Sequence, residues 1–172
     1  MPQATFHFPK GFLWGTATAA HQVEGQNTNN NWADWENQPG RIVEGQKANL
    51  ACDWWGGRWK EDLQRACDTG QNAHRLSVEW SRIQPEPDKW DEKALERYVE
   101  IVRWLVEHKM TPLVTLHHFS DPIWLMKTGG WENEATPALF EKFVRKVVPA
   151  LQDYVSLWVT INEPNVYIMS GW

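Results

Sequence analysis

Residues 160–164 read Thr-Ile-Asn-Glu-Pro and bring together a carboxylic acid, an amide and a proline. A carboxyl group beside an amide suits acid/base work on a hydroxyl-rich substrate. The preceding stretch, Tyr154 to Thr160 (YVSLWVT), is β-branched and aromatic with no turn residue inside it, which predicts a buried strand running to Asn162. Asn162 and Glu163 then stand at the strand's C-terminal end, and Pro164 keeps the backbone of Glu163 out of helical geometry. Taken without context, the pentapeptide reads equally well as a polar turn after a strand. Glycoside cleavage usually needs two carboxylates, and this strand end supplies one.

The elements that must position this pair alternate along the chain. Gly11 to Ala20 (GFLWGTATAA) is a short apolar strand candidate, followed by a loop rich in Gly, Asn and Trp. Trp59 to Asp68 predicts a helix with Trp59, Leu63, Ala66 and Cys67 on one face and Gly70 as its stop. Ala73 to Trp80 is the second strand. Asp91 caps a helix to about His108, whose Leu95, Tyr98, Val99, Val102, Leu105 and Val106 recur at spacings of three and four. Pro112 opens the third strand (PLVTLHHF). Thr136-Pro137 reads as a cap followed by a first-turn proline, and Pro149 as a kink or early stop in that helix.

Strand and helix in alternation imply a parallel sheet with helices outside it. A doubly wound sheet satisfies the same alternation, but the polar groups favour a barrel. His21-Gln22 follow the first strand, Arg75 and Glu79 belong to the second, His117-His118 end the third and Asn162-Glu163 the fourth. All of these are expected on one rim, where (β/α) barrels carry their catalytic groups. No GxGxxG follows the first strand, so a dinucleotide site is unsupported.

The bulk numbers narrow the class. A length of 172 residues allows one domain, 1–172, with a sizeable core and no second domain. A formal net charge of -5 argues against nucleic acid or an anionic membrane as main partner. No stretch is long and apolar enough to span a bilayer, and the N-terminus lacks the order of a secretory signal. Cys52 and Cys67 form no CxxC, so a reducing, cytoplasmic setting is the expectation. Of the 13 tryptophans, Trp80, Trp104 and Trp158 fall in core patterns. Trp32, Trp35, Trp54, Trp55 and Trp131 fall in loop-like sequence, where they pack loops onto the barrel or face sugar rings. Adjacent histidines on a strand point to opposite faces, so no metal site is expected at His117-His118.

The four strand ends together resemble the N-terminal half of glycoside hydrolase family 1, the β-glucosidase family. The motifs carrying the resemblance are FLWGTATAAHQVEG (12–25), NAHRLSVEWSRI (72–83), TLHHF (115–119) and TINEP (160–164). They occur in the family's order between about Phe8 and Trp172. The resemblance implies a (β/α)8 barrel with only the first four strands present, a half-barrel. It implies a retaining β-glycosidase with no cofactor, acting on a β-glucoside or related small oligosaccharide. Glu163 matches the family's general acid/base, and Asn162 matches the residue that bonds the sugar 2-hydroxyl. Gln22 and His118 match residues that bind other hydroxyls, and Arg75 matches the arginine that keeps the nucleophilic carboxylate ionised.

His117 and Phe119 depart from the family's usual Tyr and Trp, which leaves substrate preference open. Length is the larger departure: such a barrel needs at least ~200 residues. The family's nucleophilic glutamate lies on the seventh strand in a Glu-Asn-Gly motif, and no such motif occurs here. Three readings follow: half of an enzyme needing a complementary C-terminal half, a self-associating half-barrel that binds sugar without turnover, or an incomplete product. Val166 to Trp172 carries no helix stop and is expected to halt where the next helix would begin.

Overall fold

The computed structural model describes residues 7–48 and 51–171. Residues 1–6, the start of the stretch read for a leader, and Trp172, where the resemblance ends, lie outside the described residues. The element order is β1 (Gly15–Ala17), α1 (Ala20–Val23), α2 (Asn31–Glu36), α3 (Trp59–Asp68), β2 (Ala73–Ser77), α4 (Trp80–Ile83), α5 (Glu92–Glu107), β3 (Thr111–His117), α6 (Ile123–Met126), α7 (Thr136–Leu151), β4 (Leu157–Ile161) and α8 (Pro164–Gly171). The four strands are parallel and lie side by side in chain order, β1-β2-β3-β4. A doubly wound sheet reverses its strand order at a switch point, and this one does not. The architecture is half of a (β/α)8 barrel.

Register follows from close packing at the first pair. Gly15 lies opposite Ala73, and a Cβ on Gly15 would sit 2.5 Å from the Ala73 carbonyl oxygen, so no side chain fits there. The sheet's two faces differ. His74, Leu76, Val114 and Leu116 are buried beneath the helices, whereas Ala73, Arg75 and Leu113, one residue out of phase, are only half-buried. A closed parallel barrel buries both faces. Here the inner face is open, and the outer strands are the most exposed: all three residues of β1 and Leu157 of β4 face solvent.

The core lies between the sheet and the outer helices. Leu95, Tyr98, Ile101, Val102 and Leu105 of α5 and Phe143, Val147 and Leu151 of α7 are buried against it. Trp80 is at its centre, stacked 5.0 Å from Phe143 and edge-on to Trp124. Each such large apolar side chain contributes about 1.5–3 kcal/mol by burial.

Several boundaries differ from the sequence reading. Asp91 does cap α5, its side chain accepting from the Ala94 amide at 3.0 Å. Thr136 does not cap α7: the N-cap is Ala135, and the Thr136 hydroxyl donates to the Gly130 carbonyl at 2.5 Å. Pro149 sits in the last turn of α7 without ending it, since the helix runs to Leu151. The fourth strand is shorter than the Tyr154–Asn162 reading because the amides of Tyr154 and Val155 turn back to the Leu151 carbonyl, both at 3.0 Å. The first strand shrinks to three residues because Ala20 already opens a helical turn. The sequence predicts a chain that halts where the next helix begins, whereas Pro164–Gly171 is already helical, as α8.

Candidate active site

The carboxyl ends of β1 to β4 form a rim, and the side chains there are tied across strands. Arg75, on the inner face of β2, donates from Nε to Thr115 Oγ1 of β3 at 2.9 Å and from Nη2 to Asn162 Oδ1 after β4 at 2.5 Å. The Asn162 side-chain amide approaches Glu163 Oε2 at 3.4 Å, and its backbone amide donates to the His117 carbonyl at 2.9 Å. Asn162 is buried, while Glu163 is exposed. Glu163 has φ 39° and Phe119, next to His118, φ 67°, so both rim loops hold a residue in the left-handed region. Such conformations persist only where the surroundings fix them, and they concentrate at functional sites.

His118 is half-buried between these groups. Burial, helped by the Arg75 and His117 charges and opposed by Glu163, pushes its pKa down to about 4. At neutral pH the ring is uncharged and offers one donor and one acceptor, the pair that recognises a hydroxyl. Its Nδ1 is buried without a partner among the described residues. Gln22 lies in α1, directly after β1, with an exposed side chain. The Ala20 amide donates to Ser77 Oγ at 2.7 Å and fastens α1 to the end of β2.

Arg75, His118, Asn162 and Glu163 therefore meet at one rim, with Gln22 at its β1 end. Three other strand-end residues do not join them. Glu79 is fully buried, takes a 2.6 Å bond from Ser81 Oγ and lies in the outer core beside Glu24. His21 turns to Asn30 and to Glu36, 3.5 Å away. His117 turns away from the inner face to Asp121, at 3.0 Å. Arg75 forms no ion pair with Glu79 or Glu163 among the described residues; its partners are neutral.

Sequence reading missed two buried polar clusters. In one, Glu24 receives 2.6 Å bonds from Arg82 Nε and Tyr98 Oη; burial and nearby Glu79 outweigh the Arg82 charge and hold its carboxyl up at about 7. In the other, Asp121 gathers His117, Trp131 and Tyr167. Sequence neighbours give no sign of either, because their members lie up to 74 residues apart. The loop tryptophans mostly pack. Trp54 is buried, Trp55 and Trp131 are partly buried against the core, and Trp32 and Trp35 stay about 40% exposed. Those two line a groove of about 700 Å³ with Phe119, Met126, Val166 and Tyr167. A second hollow of about 350 Å³ lies by His117, Trp131 and Ile161. Neither is lined by Arg75, Asn162 or Glu163, which stand on the open inner face.

The sequence model described as glycosyl hydrolase family 1 matches residues 4–172. The 1,4-beta-D-glucan glucohydrolase of Thermotoga neapolitana is 36% identical over 170 residues, covering 95% of this chain and 40% of the relative. The cytosolic beta-glucosidase of Homo sapiens is 36% identical over 167 residues, covering 92% of this chain and 35% of its own length. Among solved structures, a beta-glucosidase from Thermotoga maritima in complex with castanospermine superimposes with a TM-score of 0.92 at 36% identity, over 95% of this chain and 38% of the neighbour. A beta-glycosidase from Pyrococcus horikoshii is 42% identical with a TM-score of 0.85, over 96% of this chain and 38% of the neighbour. The chain thus spans about two-fifths of the length of the relatives it matches. With the match running through all four strands, the chain belongs to glycosyl hydrolase family 1.

Proposed function

We propose that this chain is the acid/base half of a retaining β-glycosidase of the β-glucosidase kind, completed by a C-terminal half-barrel. The observation that carries the reading is Arg75. Its half-buried guanidinium is held on the inner face by two neutral acceptors, Thr115 and Asn162, with no carboxylate partner among the described residues. A cation withdrawn from water calls for a counter-charge. The nucleophilic carboxylate of a retaining glycosidase would supply it, on the far side of the barrel and about 5–5.5 Å from the acid/base group.

In this reading Glu163 protonates the leaving glycosidic oxygen and then deprotonates the incoming water. Asn162 bonds the sugar 2-hydroxyl, and its second contact with Arg75 couples the sugar to the nucleophile's counter-ion. Neutral His118 and exposed Gln22 bind the remaining hydroxyls. The exposed β1 and β4 edges and the open inner face favour a partner half over a free monomer. A two-fold self-dimer closes eight strands but puts a second β3 where the seventh strand belongs, and β3 ends in His117-His118 without a glutamate.

Intact mass after incubation with a 2-fluoro β-glucoside tests the division of labour. The expected adduct appears only when strands five to eight are present, and on those strands. An adduct on any carboxylate of this chain would overturn it. Among the described residues no helix is long and apolar enough to cross a membrane.

A further inference from the structure

Asp121 is wholly buried, yet no lysine or arginine pairs with it among the described residues. Three side chains from three elements surround it instead. His117 Nε2 at the end of β3 and Trp131 Nε1 in the 3-10 turn Gly130–Glu132 lie 3.0 Å from Oδ1, and Tyr167 Oη of α8 lies 2.5 Å from Oδ2. Its own amide donates to Asn31 Oδ1 of α2 at 2.8 Å. His117 Nδ1 is buried with no partner among the described residues, so the ring's polar contact is the one from Nε2 to Asp121.

These contacts close a ring around Glu163. The His117 carbonyl holds the Asn162 amide at 2.9 Å, and the Glu163 carbonyl holds the Tyr167 amide at 3.0 Å. The Tyr167 phenol returns to Asp121, and Asp121 returns to the His117 ring. Glu163 lies inside this circuit at φ 39°. Little else restrains α8. From Pro164 to Ser170 every residue except Tyr167 is exposed, Met169 by 80%. Tyr167 is the one residue of this stretch that is not exposed, and its side chain ties the first turn of the helix, and hence the residue just before it, to the body of the fold.

We propose that Asp121, acting through Tyr167, is a positioning residue that holds the left-handed backbone of Glu163 and so aims its carboxyl group. This rests on the acid/base reading of Glu163. The phenol, pushed up by burial and by the Asp121 carboxylate, stays a donor throughout the working pH range. Tyr167→Phe removes only the hydroxyl and keeps the ring stacked 5.6 Å from Phe119.

The test has two readouts. On the 172-residue chain itself, amide exchange at Tyr167–Ser170 should rise ~10-fold or more in Tyr167→Phe, the scale of one lost charged hydrogen bond, with exchange in β2 and β3 unchanged. In the same chain assembled with strands five to eight, kcat on an alkyl β-glucoside should fall ~10-fold. On a dinitrophenyl β-glucoside, which needs little protonation, it should change less than ~2-fold, with KM steady on both. Asp121→Asn should reproduce the split; if it does not fold, Tyr167→Phe carries the test. Unchanged exchange at α8, or equal loss on both substrates, would overturn the proposal. If Glu163→Gln shows no dependence on leaving group in the same assay, the acid/base reading fails instead, and the exchange result still judges the clamp.

Discussion

His74→Gln should remove a pH-dependent share of stability that one buried ring contributes. His74 is 2% exposed on the outer side of β2. Its Nδ1 lies 2.9 Å from Thr16 Oγ1 and its Nε2 3.3 Å from Thr18 Oγ1, so one ring pegs the exposed edge strand β1 to the sheet. Thr18 also donates to the Arg75 carbonyl, which assigns it as acceptor from Nε2–H and leaves Nδ1 to accept from Thr16. Burial lowers the ring's pKa from 6.5 to about 4. The unfolded chain therefore takes up this proton first. The stability it contributes is complete above pH 6.5 and is lost as pH falls through 4. A shift of that size, at about 1.4 kcal/mol per pH unit, amounts to about 3 kcal/mol. Glu24 acts with the opposite sign: its carboxyl, raised from 4.5 to about 7, protonates first in the folded state, so its contribution grows as pH falls through 7. The wild-type profile alone mixes the two, and the difference between wild type and His74→Gln isolates the histidine. Urea unfolding at several pH values should show the wild type losing about 3 kcal/mol relative to the variant between pH 7 and pH 4. NMR should show the ring titrating far below 6.5. A difference that stays flat with pH, or a ring titrating near 6.5, would refute the reasoning.

Other outcomes can be checked directly. In the assembled barrel, Glu163→Gln should lower hydrolysis of alkyl glucosides at least ~100-fold and that of activated aryl glucosides much less in the first step; equal loss across both substrates contradicts the acid role. Asp91→Ala removes the N-terminal side-chain cap of α5 and should cost about 1 kcal/mol by urea unfolding. No measurable change would mean that the helix end is held by packing alone. Light scattering on the isolated chain should show association, or capture of a co-expressed C-terminal half, because two strand edges and the inner face are open. A sharp monomer with cooperative unfolding would contradict this.

Element type was legible wherever the chain repeats its pattern for long enough. The three- and four-residue spacing of α5 and the glycine stop after α3 placed those helices closely, because burial of one face dictates the period. Strand ends were less legible. Tyr154 and Val155 have the composition of a strand, but their amides are used to close α7, a choice made by backbone hydrogen bonds and not by side-chain type. Thr136 looks like a cap from its neighbours, yet its hydroxyl serves a carbonyl six residues earlier.

At the rim, sequence order determined which residues end each parallel strand, and so which can share a face. It placed Arg75, His118, Asn162 and Glu163 together because all four follow from the strand repeat and from the family motifs. It could not decide which way each side chain turns. Glu79, His21 and His117 also stand at strand ends, but tertiary packing draws them to Ser81, to Glu36 and to Asp121. Nor did it reveal that Asp121 and Tyr167, 46 residues apart, are bonded. Local sequence sets backbone periodicity, whereas a buried polar group must find its partner wherever the fold brings one within hydrogen-bond reach, and only the tertiary structure decides where that is.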